Sequence, residues 1–239
     1  MTEQATRTPV EWGLAGRCRR GEATSGDLGI VNVSAAGALV AGIDGLGHGS
    51  EAARAAGTAA DVIRGSSSRD LVHLIERCHV ALADTRGAAI SLAFISAGEG
   101  GLTWLGVGNV AGRLLSGEPS ATRPKGSLAV ASGIPGHELP RLRTAAIRMR
   151  AGDILLLATD GIEPAFADSL DITGSTQAIS ERILADYWKP SDDALVVAVR
   201  YLRRPPRAVG GRSQRRVPGA RQAMEGIRPG PLPIRTHRM

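Results

Sequence analysis

Residues 38–49 read Ala38-Leu39-Val40-Ala41-Gly42-Ile43-Asp44-Gly45-Leu46-Gly47-His48-Gly49. From Ala38 to Ile43 no side chain is polar or charged, the pattern of a strand buried on both faces. The run ends at an aspartate inside a glycine-rich turn. Ser50 to Arg64 then reads as an Ala-rich helix with Ser50 at its N-cap. A carboxylate at the end of a buried strand, beside glycine, sits where the backbone bends without side-chain obstruction. So much glycine has a competing reading as a phosphate cradle. No Gly-Lys-Ser/Thr follows, which excludes a P-loop.

Working outward, three more stretches place aspartates at strand ends beside small residues: Ser25-Gly26-Asp27, Thr159-Asp160-Gly161 and Ser191-Asp192-Asp193-Ala194. Taken singly, each is first of all a turn. Taken together, carboxylate and carbonyl oxygens without His or Cys form a hard donor set, suited to Mg²⁺ or Mn²⁺ rather than Zn²⁺ or copper.

The elements around them alternate unevenly. Leu28 to Val33 and Ala38 to Ile43 read as strands about a Ser-Ala-Ala-Gly turn. Ser68 caps a second helix, with Leu71, Leu74, Ile75, Cys78 and Leu82 at helical spacing. Ala88 to Ser96, Leu102 to Val107 and Val110 to Leu115 read as three strands joined by Gly-rich turns. Thr144 to Met149 and Asp153 to Ala158 read as a hairpin around Arg150-Ala151-Gly152. Gln177 to Trp188 reads as a helix, and Asp193 to Tyr201 as a closing strand. This order predicts an antiparallel α+β architecture, not the regular βαβ alternation of a parallel sheet.

The apolar fraction of 43% is that of a globular chain, with aromatics at only 3%, so the core is expected to be built from small and branched side chains. The net charge of +6 is unevenly spread. Ten arginines and one glutamate lie from Arg203 onward, giving that segment +9 and leaving −3 for residues 1–202. Residues 203–239, rich in Arg, Pro and Gly, are expected to form a disordered tail, and residues 1–202 the domain. The tail suggests nucleic-acid binding only of a non-specific kind, since no stacking aromatics interleave with the arginines. The start MTEQATRTPVEWG has no apolar run behind a basic segment, and the longest apolar runs are strand-sized. No signal peptide and no membrane span are therefore expected. Cys18 and Cys78 read as reduced thiols, and the expected location is cytoplasmic.

The stretches SGDLGIV, ALVAGIDGLGHGSEAARAA, RGAAISLAFI, LTWLGVGNV, GDILLLATDGI and DDALVVAVRY resemble the metal-dependent protein phosphatases (PPM or type 2C superfamily), in particular their sporulation protein E-like bacterial branch. The resemblance runs from about Val10 to Tyr201. It implies an αββα sandwich of two antiparallel sheets flanked by helices. It also implies hydrolysis of phosphoserine or phosphothreonine by a water between two Mn²⁺ or Mg²⁺ ions, without a covalent phosphoenzyme.

Carried over by position, the resemblance makes Asp44 the ligand that bridges the ions and gives the Gly45 carbonyl to one of them. Asp27 holds one ion partly through water, and Asp160 and Asp192 complete the second site. Asp193 supports a neighbouring ligand rather than touching metal. Asn109 stands where relatives carry an aspartate for a third ion. The phosphate-binding arginine of eukaryotic members aligns with Glu22, which leaves Arg17, Arg19 and Arg20 as candidates. His48 is assigned to the turn or helix start. The implied substrate is a phosphorylated protein, an anti-sigma-factor antagonist or a stressosome component. A chain ending at Arg203 is expected to fold and to keep its turnover on a small phosphate ester. Unfolding on truncation would mean that the tail belongs to the folded domain.

Overall fold

The computed structural model describes residues 9–98, 100–118, 124–167 and 170–202, so the tail expected from 203 onward lies outside the described residues. In chain order the elements are β1 (Val10–Arg17), β2 (Asp27–Ser34), β3 (Gly37–Gly45), α1 (Gly49–Arg64), α2 (Leu71–Ala81), β4 (Ala88–Ser96), β5 (Gly101–Val107), β6 (Ala111–Leu115), β7 (Pro124–Ser127), β8 (Val130–Ala131), β9 (Ala145–Arg148), β10 (Ile154–Ala158), α3 (Thr176–Tyr187) and β11 (Ala194–Tyr201). One sheet runs β1-β11-β10-β6-β7. The other runs β2-β3-β4-β5-β8, with β9 also on β5.

Period-2 alternation assigns each strand's faces. Val40 on β3, Leu155 and Leu157 on β10, and Val197 and Val199 on β11 point between the sheets. There they join Trp104 and Leu114 in one buried layer. The opposite face of the second sheet, with Ile43, Ile90 and Leu92, lies under α1 and α2. The opposite face of the first, with Leu156 and Val196, lies under α3. The result is the expected α-β-β-α layering. α1 buries Ala52, Ala55, Ala56, Ala59 and Ala60, a stripe small enough to let the helix approach the sheet backbone. A Cβ on Gly45 would stand 2.1 Å from the Ala52 carbonyl oxygen.

Several sequence expectations are corrected. β1 was not anticipated; it pairs along its whole length with β11. β5 and β6 do not form a hairpin, because β6 crosses to the other sheet and pairs with β10. The crossing turns at Gly108, whose φ of +104 suits glycine, and a Cβ there would meet that of Ala89 at 2.4 Å. β9 and β10 likewise belong to different sheets, so Arg150-Ala151-Gly152 is a crossover rather than a hairpin turn. The sheets are antiparallel except for the short parallel pair β5–β8. Neither serine cap is present. His48 occupies the α1 N-cap without a side-chain cap bond. Asp70 caps α2, accepting from the Val72 and His73 N–H groups, while Ser68 accepts from the Asp70 N–H. Among the described residues no helix is long and apolar enough to cross a membrane.

Two glycines give opposite predictions. A Cβ on Gly13 of β1 would lie 2.4 Å from the Gln177 backbone of α3, so Gly13→Ala should cost about 1–3 kcal/mol or more by wedging α3 off its sheet. Gly57, within α1, has nothing within 4 Å of such a Cβ, and Gly57→Ala should stabilise by roughly 0.5–1 kcal/mol. Urea melts of the two variants check both signs.

Candidate metal centre

The inter-sheet core changes character at one end. Asp27 opens β2, Asp44 nearly closes β3, and the two are direct partners in the antiparallel register. Residues paired in this way share a sheet face, and the alternation that sends Val40 into the inter-sheet layer sends Asp44 there as well. Asp160 is the second residue past β10, and Asp192 and Asp193 immediately precede β11. Strand ends from both sheets thus bring aspartates to one cleft of about 260 Å³, lined by Arg19, Asp44, Leu46, Gly47, His48, Asn109, Asp160, Ser191 and Asp192.

Hydrogen bonds fix these carboxylates in different ways. The Thr159 hydroxyl donates to Asp27 Oδ2 at 2.6 Å and accepts from the Leu195 N–H at 2.8 Å, tying the second sheet to the first. Asn109 Nδ2 donates to Asp160 Oδ2 at 2.7 Å. Asp193 is buried and takes no place in the cleft wall. Its two oxygens accept from the Arg19 and Gly26 N–H groups, each at 2.8 Å, so it shapes the loop that carries Arg19 and leads into Asp27. The Gly45 N–H donates to the Gly26 carbonyl at 3.0 Å, locking that loop to the end of β3.

The electrostatics single out Asp27 and Asp44. Burial, and then the charge of Asp44, raise the Asp27 carboxyl from the ordinary 3.8 to about 8, although the Thr159 hydrogen bond opposes the rise. Burial, and then Asp160, raise Asp44 to about 7, with the Asn109 amide offsetting part of it. Every charged neighbour acting on either group is another aspartate. Burial and Asp160 also raise Asp192, where Arg19 opposes them. Asp153, at the far end of β10, is a contrast. More fully buried, it receives Lys125 Nζ at 2.7 Å and the Arg150 and Gly117 N–H groups. Asp153 thus has a cation bonded to it, whereas the charged neighbours that act most on Asp27 and Asp44 are aspartates.

These donors fit a hard divalent cation, because ionised carboxylates brought together out of water need positive charge. Among the described residues no three His, Cys, Asp or Glu side chains close around a single point. An ion here must therefore complete its shell with backbone carbonyl and water oxygens, as Mg²⁺ does readily.

Of the residues singled out in the sequence, the cleft brings together Asp44, Asp160, Asp192, Asn109 and Arg19, and Asp27 is the cross-strand partner of Asp44. Of the other arginines, Arg17 stacks on the Trp188 ring at 4.7 Å, and Arg20 is exposed, its N–H donating to the Pro190 carbonyl. His48 starts α1 as expected. It also lines the cleft, and its Nδ1 lies 2.8 Å from Glu22 Oε1. Burial pushes the Cys78 thiol up to about 12, so it is no nucleophile near neutrality. Thr159 was missed as a linker of the sheets, although its place two residues beyond the inward-facing Leu157 marks it as inward-facing too.

The stage II sporulation protein E (SpoIIE) family model matches residues 35–205. Phosphoserine phosphatase RsbX of Bacillus subtilis (strain 168) is 27% identical over 176 residues, covering 73% of this chain and 86% of that protein. A solved structure from work on the bacterial stressosome, described as a modular system adapted to control secondary messenger signalling, is 30% identical with a TM-score of 0.70. That match covers 80% of this chain and 99% of the other. A crystal structure of RsbX in complex with magnesium has a TM-score of 0.72 at 24% identity, covering 80% of this chain and 95% of that one. Fold and cleft define the class, a PPM-type protein serine/threonine phosphatase. Within that class the chain belongs to the stage II sporulation protein E family.

A pH prediction follows from Asp27 and Asp44. Between about pH 4 and about pH 8 the unfolded chain ionises these groups while the metal-free native state keeps protons on them. The native state then binds more protons, so stability falls as pH rises through that window. In EDTA the melting temperature should be lower at about pH 8 than at about pH 5.5. Mg²⁺ or Mn²⁺ should raise it more at the higher pH, and Asp27→Asn should flatten the slope. A slope unchanged in Asp27→Asn would show that other groups set it.

Proposed function

We propose that Asp44 bridges two Mg²⁺ or Mn²⁺ ions, with the Gly45 carbonyl and Asp27 on one and Asp160 and Asp192 on the other, for hydrolysis of phosphoserine or phosphothreonine in a protein partner. The observation that carries this is the Asp27–Asp44 pair, half-buried partners across the β2–β3 ladder whose strongest charged neighbours are aspartates. When bound, two such ions offset the phosphoryl charge and acidify the attacking water.

The chain's own residues do the positioning. Thr159 fixes the orientation of Asp27, and Asn109 that of Asp160. Asp193 holds the Arg19 loop against β11, which puts a guanidinium on the cleft wall beside Asp192 to meet phosphoryl oxygens. Arg17 and Arg20 are poorer candidates for that task, one engaged with Trp188 and the other outside the cleft lining. The cleft is open to solvent, so water can enter and can supply the leaving serine or threonine oxygen with its proton. No cysteine takes part.

The substrate we infer is a phosphorylated anti-sigma-factor antagonist or stressosome protein in a partner-switching pathway of the cytoplasm. Its support is the likeness to RsbX and to the stressosome-derived structure. Nucleic acid is not proposed as a partner beyond non-specific contact with the basic tail.

Two substitutions test the assignment in a phosphate-release assay. Asp44→Asn should lower turnover at least about a hundredfold, as for removal of a principal electrostatic group, with no recovery at raised Mn²⁺. Asp193→Asn leaves one of its two N–H donors without an acceptor. It should cost roughly 10–100-fold, partly recovered by Mn²⁺. Equal, metal-rescuable losses would show that Asp44 is not the bridge, and full turnover in EDTA would remove the metal mechanism.

A further inference from the structure

The turn between α2 and β4 presents Arg86 at the rim of the cleft, on the Gly47 side and outside the lining that Arg19 shares. Its guanidinium Nη1 lies 2.8 Å from where a Cβ on Gly47 would stand, so the side chain lies over the Leu46–His48 segment of the cleft wall. The backbone under it is firmly held. The Thr85 hydroxyl donates to the Leu82 carbonyl at 2.7 Å and accepts from the Gly87 N–H at 3.0 Å. The Gly87 carbonyl accepts from the Leu46 N–H at 3.0 Å, and the Ala88 N–H donates to the Pro135 carbonyl at 3.1 Å. Gly87 has a φ of +79, and a Cβ there would meet Ile134 at 2.6 Å and the Pro135 carbonyl at 2.7 Å.

The guanidinium on this rigid turn is exposed and has no hydrogen bond or ion pair to another described residue. Neighbouring cations are engaged. Arg54 donates to Glu51 and to the Asp84 carbonyl, Arg17 lies on Trp188, and the charge of Arg19 acts on Asp192.

We propose that Arg86 is a specificity-determining residue that receives an acidic side chain next to the phosphoserine or phosphothreonine of the substrate protein. The proposal rests on the phosphatase reading above. Position argues for a flanking group over the phosphoryl group itself. Arg86 stands over Gly47 at the rim, whereas the aspartates and Arg19 line the cleft. Charge argues the same way. Once divalent ions balance the aspartates, the rim on this side presents a free guanidinium, a planar fork that matches a carboxylate. A side chain rooted in a fixed turn loses less freedom on binding than one on a loose loop.

The test compares kcat/KM at saturating Mn²⁺ for phosphoserine peptides that differ only in carrying Glu, Ala or Lys beside the phosphorylated residue. The wild-type protein should favour the Glu peptide over the Ala peptide by about three- to fivefold at low salt, the upper part of the range of an exposed ion pair. The preference should shrink as salt rises. R86A should bring the ratio close to one, R86E should turn the preference toward Lys, and R86K should keep part of the preference for Glu. Turnover of p-nitrophenyl phosphate by the wild-type protein tests the underlying reading separately. Its absence would defeat that reading and this proposal with it. Turnover present, with the Glu preference unchanged in R86A and R86E, would overturn the role of Arg86 alone. No Glu preference in the wild-type protein would do the same.

Discussion

Asp27 and Asp44 face each other across the β2–β3 ladder, and burial, joined by the charge of Asp44 on Asp27 and of Asp160 on Asp44, holds both carboxyls well above the ordinary range. A folded protein tolerates such a pair only if other interactions offset its cost or if a ligand neutralises it. The same chain shows that it can neutralise a carboxylate when a structural role requires it, because Asp153 is surrounded by Lys125 and two backbone N–H groups. Around Asp27 and Asp44 the Thr159 and Asn109 hydrogen bonds offset only part of the rise, which leaves that end of the sandwich suited to a cation.

Those hydrogen bonds run between layers. Thr159 reaches from the first sheet to Asp27 on the second, and Asp193 reaches from the start of β11 to the Gly26 N–H just ahead of β2. The apolar layer between the sheets, with Val40, Leu157 and Val197 fully buried, fixes their separation, and the polar links fix the carboxylates at its end. A loss of packing in that layer would thus be felt as a change in the spacing of the ligand oxygens. The small residues at the seam serve the same end, since Gly45 lets α1 close against the strand end that carries Asp44.

Much of this was legible in the sequence, for identifiable reasons. The strand ends were marked by Asp-Gly and by apolar runs without alternation, and Asp44, Asp160 and Asp192 share one cleft with Asn109 and Arg19. What the sequence could not disclose was which sheet a strand joins. A strand that turns back onto its neighbour and one that crosses to the facing layer carry the same period-2 pattern. The segments following Gly108 and Gly152 were read as hairpins for that reason. β1 escaped notice because glycines interrupt both of its faces, Gly13 the one toward α3 and Gly16 the other, and its Trp12 remains half exposed. Helix starts misled for another reason. Ser50 and Ser68 have the right chemistry for caps, but backbone geometry gave those places to His48 and Asp70. Arg86 carried no signal at all, since its significance lies in what it fails to pair with.

The pairing of β1 with β11 joins the first and last strands of the described chain. During synthesis the N-terminal strand therefore has no ladder partner until Ala194–Tyr201 has left the ribosome, and Asp192 arrives only just before. Contacts this distant in sequence form late and make for slow closure. A nascent chain cannot assemble the cleft piecemeal, so catalytic competence arrives in one step with completion of the domain. Until then β1 is an unsatisfied edge that other strands can capture.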